Sequence, residues 1–376
     1  MSGFKRWRPR LGARLVLSLL ALGLGAPPVL AETAEEAEPS LRFYGDFRLR
    51  LESDYDSLRA DGTPRDDRDR LRFRLRLGLE YRPKAWLRLG VRLRSGASES
   101  HQSPHVTLVD FDDGPTGDAD FDLDRWFARV EGSRSWLWVG RGGLPLWKQN
   151  ELFWDDDVAP VGIAAGTTWG DSRDSDRWPT WRLNTGVFTL PVGMRDFAGH
   201  LAVAQGVAEW ERWTVAAGLL AYDADPDDPD AGRLLRGAGL RDAELWIGSV
   251  QARFTLAGRP WVTGVDLVHN GRADDAGDGL VLSTRWGSTR DRGDWRLGYT
   301  FAEIEARAVL APYAEDDWVR WGSAVETRGV DFEGHELRFD YTLARGLGLV
   351  ARGYFVESLS SVEDGKRLRV DLNYRF

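Results

Sequence analysis

Between residues 70 and 82 the chain reads RLRFRLRLGLEYR, with Arg70, Arg72, Arg74 and Arg76 on every second position and Leu71, Phe73, Leu75, Leu77, Leu79 and Tyr81 between them. A period of two scatters around a helix but sorts onto the two faces of a strand. The same alternation opens the chain's ordered pattern, where Phe43, Phe47, Leu49 and Leu51 oppose Arg42, Arg48 and Arg50, and it closes the chain in RLRVDLNYRF. Between them, segments such as DRWFARVE, SWLWVGR, WRLNTGVFTL, RWTVAAGLLAY, PWVTGVDLVHN, DWRLGYTFAEIE and GHELRFDYTLA predict strands almost throughout, with next to no helix. Many are near the roughly 9–11 residues that a tilted strand needs to cross a bilayer.

The connections take turns. Short ones fall at residues 82–84, 132–133, 208–210, 258–259, 290–293 and 345–346; long, acidic, Gly- and Pro-rich ones fall at 53–67, 96–120, 142–157, 223–239, 306–333 and 359–366. Tight turns on one side and long loops on the other are the asymmetry of a membrane barrel. With a weak strand admitted in VAPVGIAAGT (158–167), the fold class is all-β, a transmembrane antiparallel β-barrel of about 16 strands. The 168–177 connection is long for an inner turn and PVGMRD is short for an outer loop, which leaves counts of 14 and 18 open. A secreted β-sandwich would bury the apolar face of every strand but ring its outside with arginines to no purpose.

The N-terminus has a basic stretch (Lys5, Arg6, Arg8, Arg10, Arg14), an apolar run from Leu15 to Gly25 and small residues around Ala31. It reads as a cleaved signal peptide over 1–31, followed by a periplasmic extension over 32–40 and the barrel over 41–376. Without the leader, 45 basic side chains face 59 acidic ones, a net charge of about −14. That balance excludes a basic nucleic-acid reader. The mean hydropathy of −0.40 excludes a helical membrane protein but not a barrel, whose strands are apolar on one face only. There is no cysteine, hence no disulfide, thiolate metal site or lipidated cysteine.

The terminal strand ends Tyr374-Arg375-Phe376, and so resembles the carboxy-terminal signal of bacterial outer-membrane barrels; this implies that the insertion machinery reads Phe376. Residues 139–164, VGRGGLPLWKQNELFWDDDVAPVGIA, resemble the stretch after the fifth strand of the putative porin family of proteobacteria. Gly140-Arg141, Pro145, Leu152, Trp154 to Asp157 and Gly162 match, whereas the Gln that follows Gly-Arg in the family is absent. The resemblance implies a trimeric or monomeric 16-strand channel in the outer membrane, among lipid and lipopolysaccharide, and carries over no binding residue.

In a barrel, arginine facing lipid at mid-depth costs about 2–4 kcal/mol, so the arginines belong in the lumen. Arg42, Arg48 and Arg50 on the first strand, Arg70, Arg72, Arg74 and Arg76 on the second, and Arg88, Arg92 and Arg94 on the third share one wall. Arg125 and Arg129 extend it on one side; Arg367, Arg369 and Arg375 extend it on the other if the last strand meets the first. A basic wall favours small anionic solutes. The competing reading pairs these arginines with Asp46, Glu52, Glu80, Glu336, Asp340 and Asp371 in an unselective pore. The 142–157 loop, with Lys148, Asp155, Asp156 and Asp157, is the candidate constriction.

The acidic runs 110–124 and 223–230 lack EF-hand spacing. The five histidines are scattered, Pro104 keeps His101 and His105 off one helical face, and no Gly-x-Ser-x-Gly elbow occurs. The sequence therefore predicts a porin without catalytic residues, metal or cofactor. A barrel that exports or anchors an anionic polysaccharide, or an outer-membrane hydrolase, are the alternatives.

Overall fold

The computed structural model describes residues 38–170, 177–223, 242–322 and 328–376. The signal-peptide reading and most of the acidic 223–239 loop lie outside these residues. Seventeen strands form one antiparallel sheet: β1 (Ser40–Tyr55), β2 (Arg68–Lys84), β3 (Leu87–Ser95), β4 (Val106–Asp110), β5 (Phe121–Glu131), β6 (Ser135–Arg141), β7 (Val161–Trp169), β8 (Thr180–Pro191), β9 (Phe197–Glu209), β10 (Trp213–Asp223), β11 (Asp242–Leu256), β12 (Arg259–Asn270), β13 (Asp278–Gly287), β14 (Trp295–Ile304), β15 (Phe332–Ala344), β16 (Leu347–Ser358) and β17 (Asp364–Arg375). β3 and β4 are two halves of one wall strand, since both pair with β2, at Arg76↔Arg94 and Phe73↔Val106. The wall therefore has 16 positions, and β17 pairs with β1 from Asp46↔Arg375 to Tyr55↔Lys366 to close it.

The seam is tied at the very end of the chain. Gly45 and Phe376 exchange two backbone hydrogen bonds of 3.1 Å, and a side chain at Gly45 would run into the Phe376 ring. Outside the barrel, the apolar face of most strands stands open: Phe43 is 73% exposed, Leu77 44% and Leu267 54%. In water such a belt would drive aggregation; against acyl chains it is the stable arrangement.

Two connections differ from their expected form. Residues 96–105 leave the wall between β3 and β4 and enter the lumen, because the side chain of Arg94, aimed inward, binds the Ser100 and His101 carbonyls at 2.6 and 3.3 Å. The connection between β14 and β15, expected as an outer loop, also turns inward: Ala308 to Ala314, including a 3₁₀ turn at Ala311–Tyr313, is buried together with Trp318 and Val319. Trp136 and Trp138 point inward, Arg129 lying 4.3 Å over the Trp136 ring and Trp138 packing on Phe188.

Candidate functional site: a charged passage beside a filled half-lumen

The lumen is divided lengthwise. On the side of β8 to β15 the inward positions toward the long-loop end are apolar, among them Leu190, Leu201, Val203, Leu220, Leu245, Val281, Ile304 and Phe332, whereas Asp266, Arg296, Arg338 and Asp340 line the cavity below them. Leu152, Phe153, Trp154 and Val158 of the 142–160 loop, together with Leu310, Tyr313 and Trp318 of the β14–β15 loop, pack on them as in a globular core. Each such side chain contributes about 1.5–3 kcal/mol by burial. Trp154 stacks on Tyr313 at 5.5 Å, and the Asp155 amide donates to the Tyr313 carbonyl at 2.9 Å, so the two loops form one unit. His101 adds a third tie: its Nε2 lies 2.7 Å from the Pro312 carbonyl and its Nδ1 accepts the Gly193 amide at 3.2 Å.

On the other side the wall is charged. Arg50 grips Asp371 through Nε and Nη2 at 2.7 and 3.0 Å. Glu52, fully enclosed, receives Arg369 Nε at 2.6 Å and also Arg70 and Arg72. Asp46 takes Arg74 and Arg76 at 2.6 Å each, Arg92 binds Asp124, and Arg367 binds Asp54 at 2.5 Å. Toward the short-turn end, Arg88 and Arg129 share Glu131 at 2.6 and 2.9 Å, while Arg42 lies beside Tyr44. Arg94 is held by carbonyl groups. The pairing named from sequence thus occurs at Asp46, Glu52, Glu80 and Asp371, whereas Glu336 and Asp340 pair with other arginines, Arg352 and Arg338.

Between the two sides lies a cavity of about 850 Å³, lined among the described residues by ten arginine and lysine side chains and nine carboxylates. Arg48, Arg74, Arg76, Arg92, Arg125 and Arg352 face it from the wall. Arg48 donates to Asn373 at 2.7 Å and stands 3.6 Å from Asp371; Arg125 reaches only the Asp156 carbonyl, at 3.5 Å. Opposite them, the loops present Glu151, Asp155, Asp156, Asp157, Glu315, Asp316 and Asp317. Lys148 pairs with Asp156 at 2.5 Å and donates to the Trp154 carbonyl at 2.6 Å, staying within its own loop.

The loop carboxylates fall into two groups. Although burial opposes it, Arg76, Arg74 and Arg94 hold Asp157 well below the usual range, and Arg369, Arg50 and Arg352 do the same for Asp317. Enclosure, then the neighbouring Asp156, pushes Glu151 up to about 7; enclosure, then Asp317, pushes Asp316 up to about 6. Asp155 and Glu315 are raised well above their ordinary values by burial and by neighbouring carboxylates. Burial and the adjacent Arg50 and Arg72 keep His105 neutral. The sequence reading missed Asp54, Asp124, Glu315, Asp316, Asp317 and Arg352. For the β14–β15 loop a signal existed: AVLAPYAEDDWVRW is too apolar for a solvated outer loop.

A closed 16-position antiparallel barrel with apolar outer belt and loop-constricted, charged lumen defines the class: a porin-type channel of the bacterial outer membrane. Within it, residues 62–219 match the family described as "Putative porin", a stretch that contains the 139–164 segment where the resemblance was read. No curated protein matches the chain in sequence. Among solved structures it is similar to OprB of Pseudomonas putida, with a TM-score of 0.59 and 11% identity over 89% of this chain and 94% of that one. OmpF of Salmonella typhi, solved in complex with daunomycin, is similar at a TM-score of 0.53 and 11% identity, over 91% of this chain and all of the other. The trimer form of the outer-membrane protein OmpT of Vibrio cholerae follows at 0.50 and 11%, over 90% and 100%. At these identities the likeness is one of fold.

Proposed function

We propose that the protein is a passive diffusion channel for small hydrophilic solutes that favours anions. The supporting observation is the charge balance of the cavity. Its cationic and acidic linings are nearly equal in number, but Glu151, Asp155, Glu315 and Asp316 hold protons more tightly than ordinary carboxylates. The surplus that results is positive and is most available at Arg48, whose nearest carboxylate, Asp371, is shared with Arg50, and at Arg125, which reaches only the Asp156 carbonyl. A solute anion is stabilised there as it sheds part of its hydration, and leaves because no single site surrounds it. The same segregation of guanidinium and carboxylate across a narrow passage orients dipolar solutes and sieves by width. Such passage needs no cofactor, metal, catalytic residue or conformational cycle.

The test is the reversal potential of the purified protein in a planar bilayer under a potassium chloride gradient. A chloride-selective potential is expected; a potential near zero or of the opposite sign defeats the anion preference while leaving the channel. Absence of conductance from correctly folded barrel would favour the anchoring and export alternatives. Assembly as a homotrimer fits the fold class and is checked by the mass of the detergent complex. Lipopolysaccharide around the outer loops and recognition of Phe376 by the insertion machinery complete the proposed set of partners.

A further inference from the structure

Asp317 occupies an unusual position for a loop residue. Its carboxylate lies against Arg50 of β1 and Arg352 of β16, each at 3.5 Å, and against Arg369 of β17. Arg367 donates to its backbone carbonyl at 2.6 Å. The three guanidinium groups do not depend on Asp317 for their placement: Asp371 holds Arg50, Glu52 holds Arg369, and the Tyr354 hydroxyl receives Arg352 at 3.1 Å. Arg50 and Arg369 are 0% and 2% exposed, so a pre-formed cationic cradle exists inside the wall. The next residue, Trp318, packs on Phe332 and Tyr354 and keeps Asp317 in place.

We propose that Arg50, Arg352 and Arg369 form a binding site for a small carboxylate, that Asp317 fills it from within the chain, and that the β14–β15 loop thereby sets the channel's ion preference. Asp317 acts as a tethered counter-ion. It withdraws these three arginines from passing solutes, which are left with the other cationic side chains of the cavity, among them Arg48 and Arg125. This deepens the anion-channel reading, on which it rests, by adding a selectivity residue outside the 142–160 loop. Three convergent guanidinium groups suit a planar oxyanion by bidentate and charge-assisted bonding.

The experiment compares the wild-type protein, Asp317→Ala and Asp317→Asn in bilayers, with formate as the probe. Removing the carboxylate should raise the chloride-to-potassium permeability ratio several-fold. Formate at millimolar concentration should enter the hole left in Asp317→Ala and return the ratio toward the wild-type value, with little effect on the wild type. Asp317→Asn keeps the shape and loses the charge, so its ratio should rise without rescue; it carries the test if the alanine variant does not insert. An unchanged ratio in both variants, or a formate effect equal in variant and wild type, overturns the proposal. The wild-type ratio by itself tests the anion reading, so the two failures are told apart.

Discussion

The two halves of the lumen are held by different forces, although one sheet builds both. From β1 to β5 and at β16 and β17, inward side chains are charged and meet each other across the ladder, as at Arg50 and Asp371. From β8 to β15 those toward the long-loop end are aliphatic or aromatic and meet loops, as when Leu152 and Tyr313 join the cluster of Leu190 and Val281. Ion pairs in a wet lumen gain little from being covered, since covering them costs desolvation. Apolar side chains gain only from being covered. The charged half therefore borders the passage, and the apolar half recruits the loops that narrow it.

The comparison is broken most severely from the apolar side. Trp318→Ala removes a buried aromatic, a loss of about 3–5 kcal/mol of local packing. It should free the β14–β15 loop and raise single-channel conductance several-fold; unchanged conductance in a folded variant would mean that this loop does not narrow the pore. Next, Arg72, Arg74 and Arg76 replaced together by Glu should invert the sign of the reversal potential, because the wall then repels what it now attracts.

A smaller effect is expected from pH. Glu151 and Asp316, with values of about 7 and 6, lose their protons as pH rises from about 5 to 8, adding negative charge to the cavity. Chloride selectivity should therefore fall over that range, and Glu151→Gln should flatten the upper part of the curve. The sign for stability follows: a carboxyl raised on folding binds its proton more tightly in the fold, so its contribution is lost as pH rises from the unfolded value toward the folded one. Smallest is His101→Phe, which removes two hydrogen-bonding contacts between loops, about 1–3 kcal/mol where a partner is left unpaired. It should increase open-channel current noise with little change in mean conductance.

The charged half was legible in the sequence because its pattern is local. Alternation at Arg70 to Arg76 specifies which side chains face inward, and the register of neighbouring strands then brings Asp46, Glu52 and Asp371 opposite arginines. The strand count followed from the same alternation once the weak segment before Thr167 was admitted, and the short PVGMRD connection is in fact a tight outer turn between β8 and β9. The apolar half was not legible in this way. In HLAVAQGV and VAAGLLAY both faces are apolar, which marks a strand covered on both sides without saying by what. The covering residues come from loops far away in the chain, and no period links Tyr313 to Pro191 or Asp317 to Arg50. The excursion at 96–105 was hidden for a related reason, since its acidic and polar residues read as one long outer loop with the true one at 111–120.

The seam between Gly45 and Phe376 gives the molecule a check on its own length. Every strand but the last finds one partner as soon as its neighbour in sequence is made, yet the ladder between β1 and β17 joins the two ends of the barrel and can form only when the final residues are in hand. A chain lacking β17 would keep a nearly complete sheet with two bare edges, the arrangement most prone to pairing with other chains. Docking of β17 and closure are thus the same event, and an open sheet differs from a closed barrel in topology rather than in degree.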